Sequence, residues 1–262
     1  MTLFLSRRVI VTAGASGIGR CIAEAFIREK ANVHIVDIDR AAIDAMQQDH
    51  PDVSVSCADV SDEAMVDSVF EAQQQRAGGL DTLINCAGIK GPTASVEKIE
   101  LPEWRRCIEV NLDATFLCCR RAVPMLCRSA ESGASPSIVN MSSTAGWHGY
   151  PMRSAYSSAK WAVIGLTKSI AMELGESGVR ANVICPGTVE GDRMLRVVAD
   201  EAKQTGRDKE EILDSYRRAC SMRELIKGED IADMALFLSS PSAGKVTGQV
   251  MNVDGHLEAF TA

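Results

Sequence analysis

A β-branched run, a glycine-rich turn and a helical pattern follow one another near the beginning of the chain. Arg8–Thr12 reads RVIVT, which is typical of a buried strand. The turn AGASGIG comes next, and from Ile18 apolar residues recur at helical spacing. Glycines let the backbone approach a pyrophosphate, and the N-terminus of a helix favours its negative charge. The order therefore predicts that the chain begins with a dinucleotide-binding unit.

A carboxylate stands where such a unit binds the adenosine ribose. The second expected strand, 32–36, ends in Asp37, which lies 18 residues beyond Gly19. A carboxylate about 20 residues after the glycines bonds the ribose hydroxyls and repels a 2′-phosphate, so Asp37 favours NAD over NADP. Arg40, three residues on, tempers this preference only slightly. The alternative is that Asp37 caps the helix that follows.

Strand and helix patterns alternate along the rest of the chain. Further strands are expected at 53–56, 81–84, Ser137–Met141, 180–185 and Val250–Val253, and helices at 62–75, about 102–127, 155–174 and 228–238. This alternation predicts an α/β fold with a parallel sheet covered on both faces. No linker or repeat interrupts it before about residue 190, so 1–262 is expected to form a single domain.

One segment breaks the alternation. Two amphipathic helical patterns, 192–204 and Lys209–Ala219, follow the sixth strand. Ligands of open α/β sheets bind beyond the carboxyl ends of the strands. The segment at about 188–225 is therefore expected to be a helical lid over the substrate. The alternative is a surface excursion or a subunit contact.

Three side chains predict a site for proton and hydride transfer. Tyr156 and Lys160 stand four residues apart at the start of an expected helix, so they share one face, and Ser143 lies thirteen residues before Tyr156 at the end of a strand. A phenol titrates near ~10 in water, and bringing it to ~7 requires roughly 4 kcal/mol of differential stabilisation. Lys160 and a positively charged nicotinamide could supply this. On its own, a Tyr-x-x-x-Lys pair more often lies on a solvated helix face. It is given a catalytic interpretation here because a dinucleotide-binding unit precedes it in the sequence.

Composition limits the possible partners. The net charge is −7, the pI is about 5.2 and no run of Lys and Arg occurs, so neither nucleic acid nor an anionic membrane is an expected partner. The start, MTLFLSRRVIVTAG, resembles neither a secretory signal nor a membrane span. The nine cysteines follow no metal-binding spacing. They are expected to be free thiols, which predicts a cytoplasmic protein without a metal site.

Together these residues make the chain resemble the short-chain dehydrogenase/reductase family over essentially its whole length. The resemblance implies a Rossmann-type, doubly wound parallel sheet of about seven strands. It also implies a homotetramer, commonly joined through the helices at about 102–127 and 155–174 and the C-terminal strand. Each matching motif is modest, and their combination in this order is specific: residues 12–19, Asp37, Asp59-Val60, residues 85–88, Asn111, Ser143, Tyr156-x-x-x-Lys160 and Pro186-Gly187.

The resemblance also implies roles. Tyr156 is expected to be the general acid/base, with Lys160 lowering its pKa and bonding the nicotinamide ribose. Ser143, rather than its neighbour Ser142, would hold the substrate oxygen, and Asn111 would hold a water that links Lys160 to solvent. Asp59 and Val60 would contact adenine, and Asn85 would be structural. The full set expected around NAD is Gly14, Ser16, Gly17, Ile18, Gly19, Asp37, Asp59, Val60, Asn85, Ala87, Gly88, Tyr156, Lys160, Pro186, Gly187, Thr188 and Val189.

Three positions depart from the family pattern. Ala13 stands where the first glycine of T-G-x-x-x-G-I-G is expected, and Gly14 follows it. Because backbone amides still line the turn, we expect the phosphate site to survive this exchange. Cys86 replaces a common second asparagine, which should be harmless. Gly191 replaces a threonine that holds the carboxamide, so Thr188 or backbone groups would have to take that role.

The leading hypothesis is an NAD-dependent oxidoreductase that acts on a small polar secondary alcohol or ketone, such as a hydroxy acid, polyol or sugar. One alternative is an NADPH-dependent 3-ketoacyl reductase, against which Asp37 argues. The other is an NAD-binding subunit without turnover, since a fold does not guarantee activity.

The charge of the substrate is a separate hypothesis. Arg153 lies three residues before Tyr156, and Arg193 and Arg196 lie three apart on the first helix of the expected lid. Guanidinium groups bind carboxylates in bidentate fashion, so an anionic substrate is one possibility. Otherwise the arginines are solvated or lie at a subunit contact. A neutral polyol or sugar would be held by groups such as Trp147, His148 and Glu190.

Overall fold

The computed structural model describes residues 4 to 257 of the chain. Its centre is one seven-stranded sheet, parallel throughout, with the order β3-β2-β1-β4-β5-β6-β7. The predicted doubly wound parallel sheet is confirmed. The strands are β1 (Arg8–Thr12), β2 (Asn32–Asp37), β3 (Ser54–Cys57), β4 (Thr82–Asn85), β5 (Ser137–Met141), β6 (Arg180–Pro186) and β7 (Val250–Val253).

Helices cover both faces of the sheet. Neighbouring residues of a strand point to opposite faces, and in β1 the side chain of Val11 packs with Phe26 on one face while Ile10 packs with Phe70 and Leu126 on the other. Two apolar cores therefore sandwich the sheet. The helices are α1 (Gly17–Arg28), α2 (Arg40–Asp49), α3 (Glu63–Ala77), α4 (Leu101–Ile108), α5 (Ala114–Glu131), α6 (Ser154–Leu174), α7 (Asp192–Thr205), α8 (Lys209–Ala219) and α9 (Gly228–Ser239).

The strand order gathers the predicted site at one edge. The order reverses between β1 and β4, and Thr12 at the end of β1 is in register with Asn85 at the end of β4. Asn85 is in turn in register with Asn140 of β5. The segments that follow these strands all leave the same carboxyl edge, next to the reversal. In doubly wound sheets this is where ligands bind.

The helix expected at about 102–127 contains a wider turn that was not predicted. A π-helical turn, Glu109–Asp113, separates α4 from α5. The Nδ2 of Asn111 donates to the carbonyl oxygen of Cys107 four residues before it, at 2.9 Å. A side chain that bonds this carbonyl competes with the helical ladder, which favours the widened turn. The expectation of one uninterrupted α-helix is therefore wrong at Asn111.

Asp39, not Asp37, caps α2. The carboxylate of Asp39 accepts hydrogen bonds from the backbone amides of Ala41 and Ala42, at 2.9 and 3.2 Å. This rules out the capping alternative for Asp37. Four strands differ by one residue from their expected bounds: β3 and β4 both begin and end one residue later, and β2 and β6 each end one residue later.

The two helices predicted as a lid are present beyond β6. Helices α7 and α8 share a small apolar core formed by Met194, Val198 and Ile212. Within residues 4–257, no helix has the length and apolar character needed to cross a membrane, and no three His, Cys, Asp or Glu side chains are grouped to hold a metal ion.

Candidate active site

The glycine-rich turn between β1 and α1 is tightly packed. A Cβ on Gly14 would lie 2.9 Å from the carbonyl oxygen of Val11, and a Cβ on Gly19 would collide with the carbonyl oxygen of Ala13. Ala13 itself has a φ of 50°, in the left-handed region, which costs a non-glycine residue about 1–2 kcal/mol. The exchange of alanine and glycine therefore strains the turn at Ala13, while the close approach that glycine permits is kept at Gly14 and Gly19.

The N-terminus of α1 opens toward the same edge of the sheet. Ser16 is the N-cap of α1, and its side chain makes no capping hydrogen bond. Ser16 and Gly17 are exposed, and Ile18 is half-buried against the core. The free amides of a helix N-terminus attract an anion. This end of α1 is therefore a suitable place for the pyrophosphate of a dinucleotide.

Asp37 is buried at the end of β2 and faces the glycine-rich turn. Its Oδ2 accepts from the backbone amide of Ala15 at 3.0 Å, and its Oδ1 accepts from the amide of Asp39 at 3.1 Å. These bonds hold the carboxylate beside the turn in one orientation. This is the position expected of a group that bonds the adenosine ribose.

Asp59 is already engaged by protein groups. Its carboxylate accepts from the Ser61 amide at 2.9 Å and from the Arg106 guanidinium at 2.9 Å. Burial raises the pKa of Asp59, but the bonds from Ser61 and Arg106 outweigh it and lower the pKa overall. Val60 beside it is buried. The adenine contacts expected of Asp59 and Val60 stay predictions.

The end of β4 is fixed by side chains of its neighbours. The Thr12 hydroxyl accepts from the backbone amides of Cys86 and Ala87, at 3.0 and 3.1 Å. The Asn85 Nδ2 donates to Asn140 Oδ1 across the sheet, at 2.8 Å. Asn85 is therefore bonded within the sheet, as its expected structural role requires. These bonds set the path of the segment that carries Ala87 and Gly88.

Two polar side chains of the site lie close against Gly88. A Cβ on Gly88 would lie 2.7 Å from Asn111 Oδ1 and 3.3 Å from Lys160 Nζ. Asn111 Oδ1 is buried, and it has no hydrogen-bond partner within the described residues. Buried polar atoms are normally hydrogen-bonded, so a group that donates here completes the site. A ribose hydroxyl or a water is such a donor, so the donor set beside Gly88 fits a nicotinamide dinucleotide.

Lys160 is buried and held by strand β5. Its Nζ donates to the carbonyl oxygen of Met141 at 2.9 Å. Burial lowers the pKa of Lys160, and the charge of Tyr156 opposes this. The hydroxyl of Ser142 donates to the backbone carbonyl of Lys160 at 2.7 Å. Ser142 thus anchors α6, which leaves its neighbour Ser143 to face Tyr156.

Three cations surround the ring of Tyr156. The Lys160 Nζ and the guanidinium carbons of Arg153 and Arg193 lie 5.8, 5.3 and 5.7 Å from its centroid. Burial raises the pKa of Tyr156. The charges of Arg193, Lys160 and Arg153 and a hydrogen bond with Ser143 outweigh it, so the pKa is lowered overall. A phenol whose pKa is lowered is better suited to act as a general acid/base.

The predicted residues after β6 lie in a constrained segment. The Gly187 amide donates to Val253 at 2.9 Å, and a Cβ on Gly187 would lie 2.7 Å from the Cα of Asp254. The carbonyl of Thr188 accepts from Ile226, and Val189 forms a bridge with the same residue. Pro186 ends β6. Whether Thr188 takes the carboxamide stays a prediction.

Two basic residues lie beside the site. Arg153 contacts the Tyr156 ring, as its place three residues earlier allowed, and is 4% exposed. Lys90 was not singled out, although it lies close enough to the arginines for their charges to affect it. The only sequence signal for Lys90 is its position two residues after Gly88. Of the groups proposed to hold a neutral substrate, Trp147 and Glu190 are exposed, whereas His148 bonds the carbonyl of Leu257 at 3.0 Å.

Comparison with known proteins finds relatives that match nearly the whole chain. Residues 12–257 match the family model described as enoyl-(acyl carrier protein) reductase. The chain is 34% identical over 255 residues to a 2-keto-3-deoxy-L-fuconate dehydrogenase of Xanthomonas campestris, covering 97% of this chain and 81% of that protein. It is 34% identical over 257 residues to a 2-dehydro-3-deoxy-L-rhamnonate dehydrogenase (NAD(+)) of Sphingomonas, covering 98% and 97%. The crystal structure of levodione reductase matches with a TM-score of 0.87 at 30% identity, covering 96% and 97%.

The fold and the matches define an oxidoreductase that uses a nicotinamide cofactor. The chain belongs to the short-chain dehydrogenase/reductase family. The family resemblance, the fold and this class of function are confirmed, whereas the roles of individual site residues are not tested by the matches.

Proposed function

We propose that the protein is an NAD(H)-dependent dehydrogenase or reductase of a small secondary alcohol or ketone, with Tyr156 as its acid/base. The observation that carries this is the convergence on one buried phenol of Lys160, the Ser143 hydroxyl and two guanidinium groups. When bound, the nicotinamide accepts a hydride in oxidation and returns it in reduction. The protein's own part is to move the proton and to hold the reacting oxygen.

In the direction of oxidation, the ionised oxygen of Tyr156 accepts the proton of the substrate hydroxyl. Ser143 holds the same substrate oxygen by a hydrogen bond, as a positioned donor. The buried ammonium of Lys160 favours the ionised phenol. Asn111 Oδ1, beside the same space, accepts from a water or hydroxyl that can pass the proton onward. In reduction the neutral phenol donates to the developing alkoxide.

Turnover is the direct test of this proposal. The protein is mixed with NAD⁺ or NADP⁺ and a panel of secondary alcohols, and the absorbance of the reduced cofactor is followed. Reduction of the cofactor by at least one small polar alcohol is expected. Cofactor binding without turnover on any alcohol, or on the matching ketones in reverse, would instead identify a binding subunit.

The choice of cofactor rests on Asp37. We expect kcat/KM to favour NAD over NADP by at least tenfold, about 1.4 kcal/mol, because the fixed carboxylate beside the turn repels a 2′-phosphate. Asp37→Ala should reduce this preference. Asp39→Ala is the matched control, since it removes a neighbouring carboxylate that caps α2 and does not face the turn. Equal kcat/KM values in the wild type would contradict the assignment.

A 3-ketoacyl reductase that uses NADPH is the second candidate. A relative in Chlamydia muridarum named 3-oxoacyl-[acyl-carrier-protein] reductase, 33% identical over 260 residues, favours it. Arg40, the cation that could receive a 2′-phosphate, is exposed and paired with Asp44 at 3.0 Å. The cofactor comparison therefore separates this candidate from the first, because it requires the opposite preference.

A homotetramer is proposed from an uncovered stripe on the long helices. Trp161 and Met172 of α6 and Phe116 of α5 are exposed, and Gly165 lies between the first two on the same side of α6. Apolar side chains aligned on one surface are typical of an interface.

Light scattering of the purified protein tests the assembly. We expect the mass of four chains, and we expect Trp161→Arg to shift it toward smaller species. Val96→Arg is the control, because Val96 is also exposed and lies outside both helices. A wild-type monomer at micromolar concentration would rule the assembly out.

We propose the cytoplasm as the location. All nine cysteines are free thiols, which suits a reducing compartment. Cell fractionation tests this, and recovery with an oxidising compartment would contradict it.

A further inference from the structure

Basic side chains gather above one side of the site. The guanidinium carbons of Arg153 and Arg193 both lie within 6 Å of the centroid of the Tyr156 ring, at 5.3 and 5.7 Å. Burial lowers the pKa of Lys90, and the charges of Arg153, Arg196 and Arg193 lower it further, so these four groups are electrostatic neighbours. Such a concentration of cations stands out in a chain whose net charge is −7.

Arg153 is a buried cation with an unused donor. It is 4% exposed, and its Nη2 donates to the carbonyl oxygen of Lys90 at 2.8 Å. Its Nε is buried and has no hydrogen-bond partner in the described part of the chain. The guanidinium lies between two rings, 5.4 Å from the centroid of Tyr150 and 5.3 Å from that of Tyr156. An unpaired buried charge is costly, so this geometry is completed by an anion.

Arg193 lies near the same Tyr156 ring but belongs to α7, in the segment that follows β6. It lies at the start of α7 and is exposed. Among residues 4–257, neither Arg193 nor Arg196 forms an ion pair, and the one carboxylate that pairs within this group is Asp200, which binds Lys90. The two arginines that flank Tyr156 therefore keep their charge available for a ligand.

Contacts between α7 and the rest of the protein set the position of Arg193. Lys90 pairs with Asp200, and Gln204 donates to the carbonyl of Thr93 at 3.0 Å. The hydroxyl of Tyr216 donates to Glu201 at 2.9 Å and bonds the hydroxyl of Tyr150 at 3.1 Å. These bonds tie α7 and α8 to the loops after β4 and β5, so that Arg193 is held over the phenol.

We propose that Arg153 and Arg193 form a carboxylate subsite, and that the substrate is a small 2-hydroxy or 3-hydroxy acid or the matching keto acid. The carboxylate lies between the two guanidinium groups while the reacting oxygen lies against Ser143 and Tyr156. Because both guanidinium groups flank the ring that carries the acid/base hydroxyl, the carboxylate is close to the reacting carbon. Guanidinium forks match carboxylate oxygens in bidentate fashion. The inference rests on the oxidoreductase function proposed above and narrows its substrate.

The test compares acids with uncharged molecules of the same shape. Lactate, 3-hydroxybutyrate and gluconate are each assayed beside their primary amides, in the wild type and in Arg153→Lys, Arg153→Ala and Arg193→Ala. We expect the best acid to exceed its amide at least tenfold in kcat/KM, and each variant to reduce that ratio toward one, mainly through KM for the acid. Arg153→Lys keeps a positive charge at this buried position but loses the bidentate guanidinium. It therefore still tests the subsite if Arg153→Ala fails to fold.

Arg218→Ala is the matched control. It removes an arginine of α8, the helix that packs with α7, and this arginine already forms an ion pair with Asp214. It should keep the wild-type ratio of acid to amide. The affinity for NADH, read from its fluorescence, is measured in every variant, because an arginine that binds the cofactor's pyrophosphate would weaken NADH instead.

Each outcome decides the proposal. A wild type that turns over neutral polyols or amides as well as acids overturns the carboxylate subsite and leaves the oxidoreductase function standing. The same conclusion follows if the variants keep the wild-type ratio of acid to amide, or if they lose only NADH affinity. If no alcohol is oxidised, the proposed oxidoreductase function is wrong. Binding measurements then decide whether the carboxylate subsite exists. The subsite is supported if the acids quench the fluorescence of bound NADH, their amides do not, and Arg193→Ala loses the quenching. It is rejected if acids and amides quench equally.

Discussion

Tyr156→Phe is expected to abolish nearly all turnover while NADH affinity stays within a few-fold of wild type. The substitution removes only the hydroxyl that exchanges the proton, and general acid/base catalysis contributes about 10²–10⁴ to the rate. The ring stays, so its packing against the three surrounding cations is kept. Steady-state kinetics in both directions and titration of NADH fluorescence measure the two effects separately.

Tyr150→Phe is the comparator for this prediction. Tyr150 is the nearest other phenol in the sequence, but its hydroxyl bonds Tyr216 at 3.1 Å rather than Ser143. It should therefore retain far more turnover than Tyr156→Phe. A Tyr156→Phe enzyme that kept a tenth of the wild-type rate would show that another group carries the proton.

The sheet could be predicted because its signals are local. A parallel strand that is buried on both faces is rich in apolar and β-branched residues, as in RVIVT of β1 and SIVNM of β5, and both strands have their predicted bounds. The signal weakens in β3, whose sequence SVSC alternates serine with larger residues at the edge of the sheet, and its bounds shift by one residue. Helix positions followed from the 3.6-residue period in the same way.

The features that escaped prediction depend on contacts between distant segments. Arg153 is the N-cap of α6 with a φ of −134°, and its burial between the rings of Tyr150 and Tyr156 depends on the path of the loop before the helix. Lys90 acquires its role only when α7 is brought beside the loop after β4. Asn111 is buried, and its Nδ2 donates to the carbonyl oxygens of Ile89 and Cys107, of which Ile89 lies in the distant loop after β4.

The left-handed conformation of Ala13 was also beyond the sequence. The exchange of alanine and glycine was expected to leave the turn working, and the packing of Gly14 agrees with a compact turn. The position that needs glycine for its backbone angle is nevertheless occupied by Ala13. Sequence order shows which residues form a turn, whereas the φ of each residue is fixed by the strand and helix that the turn joins.

Lys160→Met is expected to lower kcat for oxidation at neutral pH by about 10²–10³, comparable to the loss of one preorganised electrostatic contact. Burial raises the pKa of Tyr156, and the Lys160 ammonium is one of the charges that lower it. Without this charge the pKa of Tyr156 rises, so a smaller fraction of the phenol is ionised at neutral pH. Methionine occupies a similar volume and removes a buried charge, so the fold should persist.

The pH dependence gives the sign of the effect and separates charge from position. Oxidation needs the ionised phenol, so its rate rises through the pKa of Tyr156, and in Lys160→Met this rise should move to higher pH with partial recovery of rate. Reduction needs the neutral phenol, so its decline at high pH should move in the same direction. Because Arg193 also lowers the pKa of Tyr156, Arg193→Ala should shift both limbs upward as well. Profiles of kcat in both directions measure the shift, and a Lys160→Met profile that is lower but not displaced would mean that Lys160 positions the cofactor or substrate without tuning Tyr156.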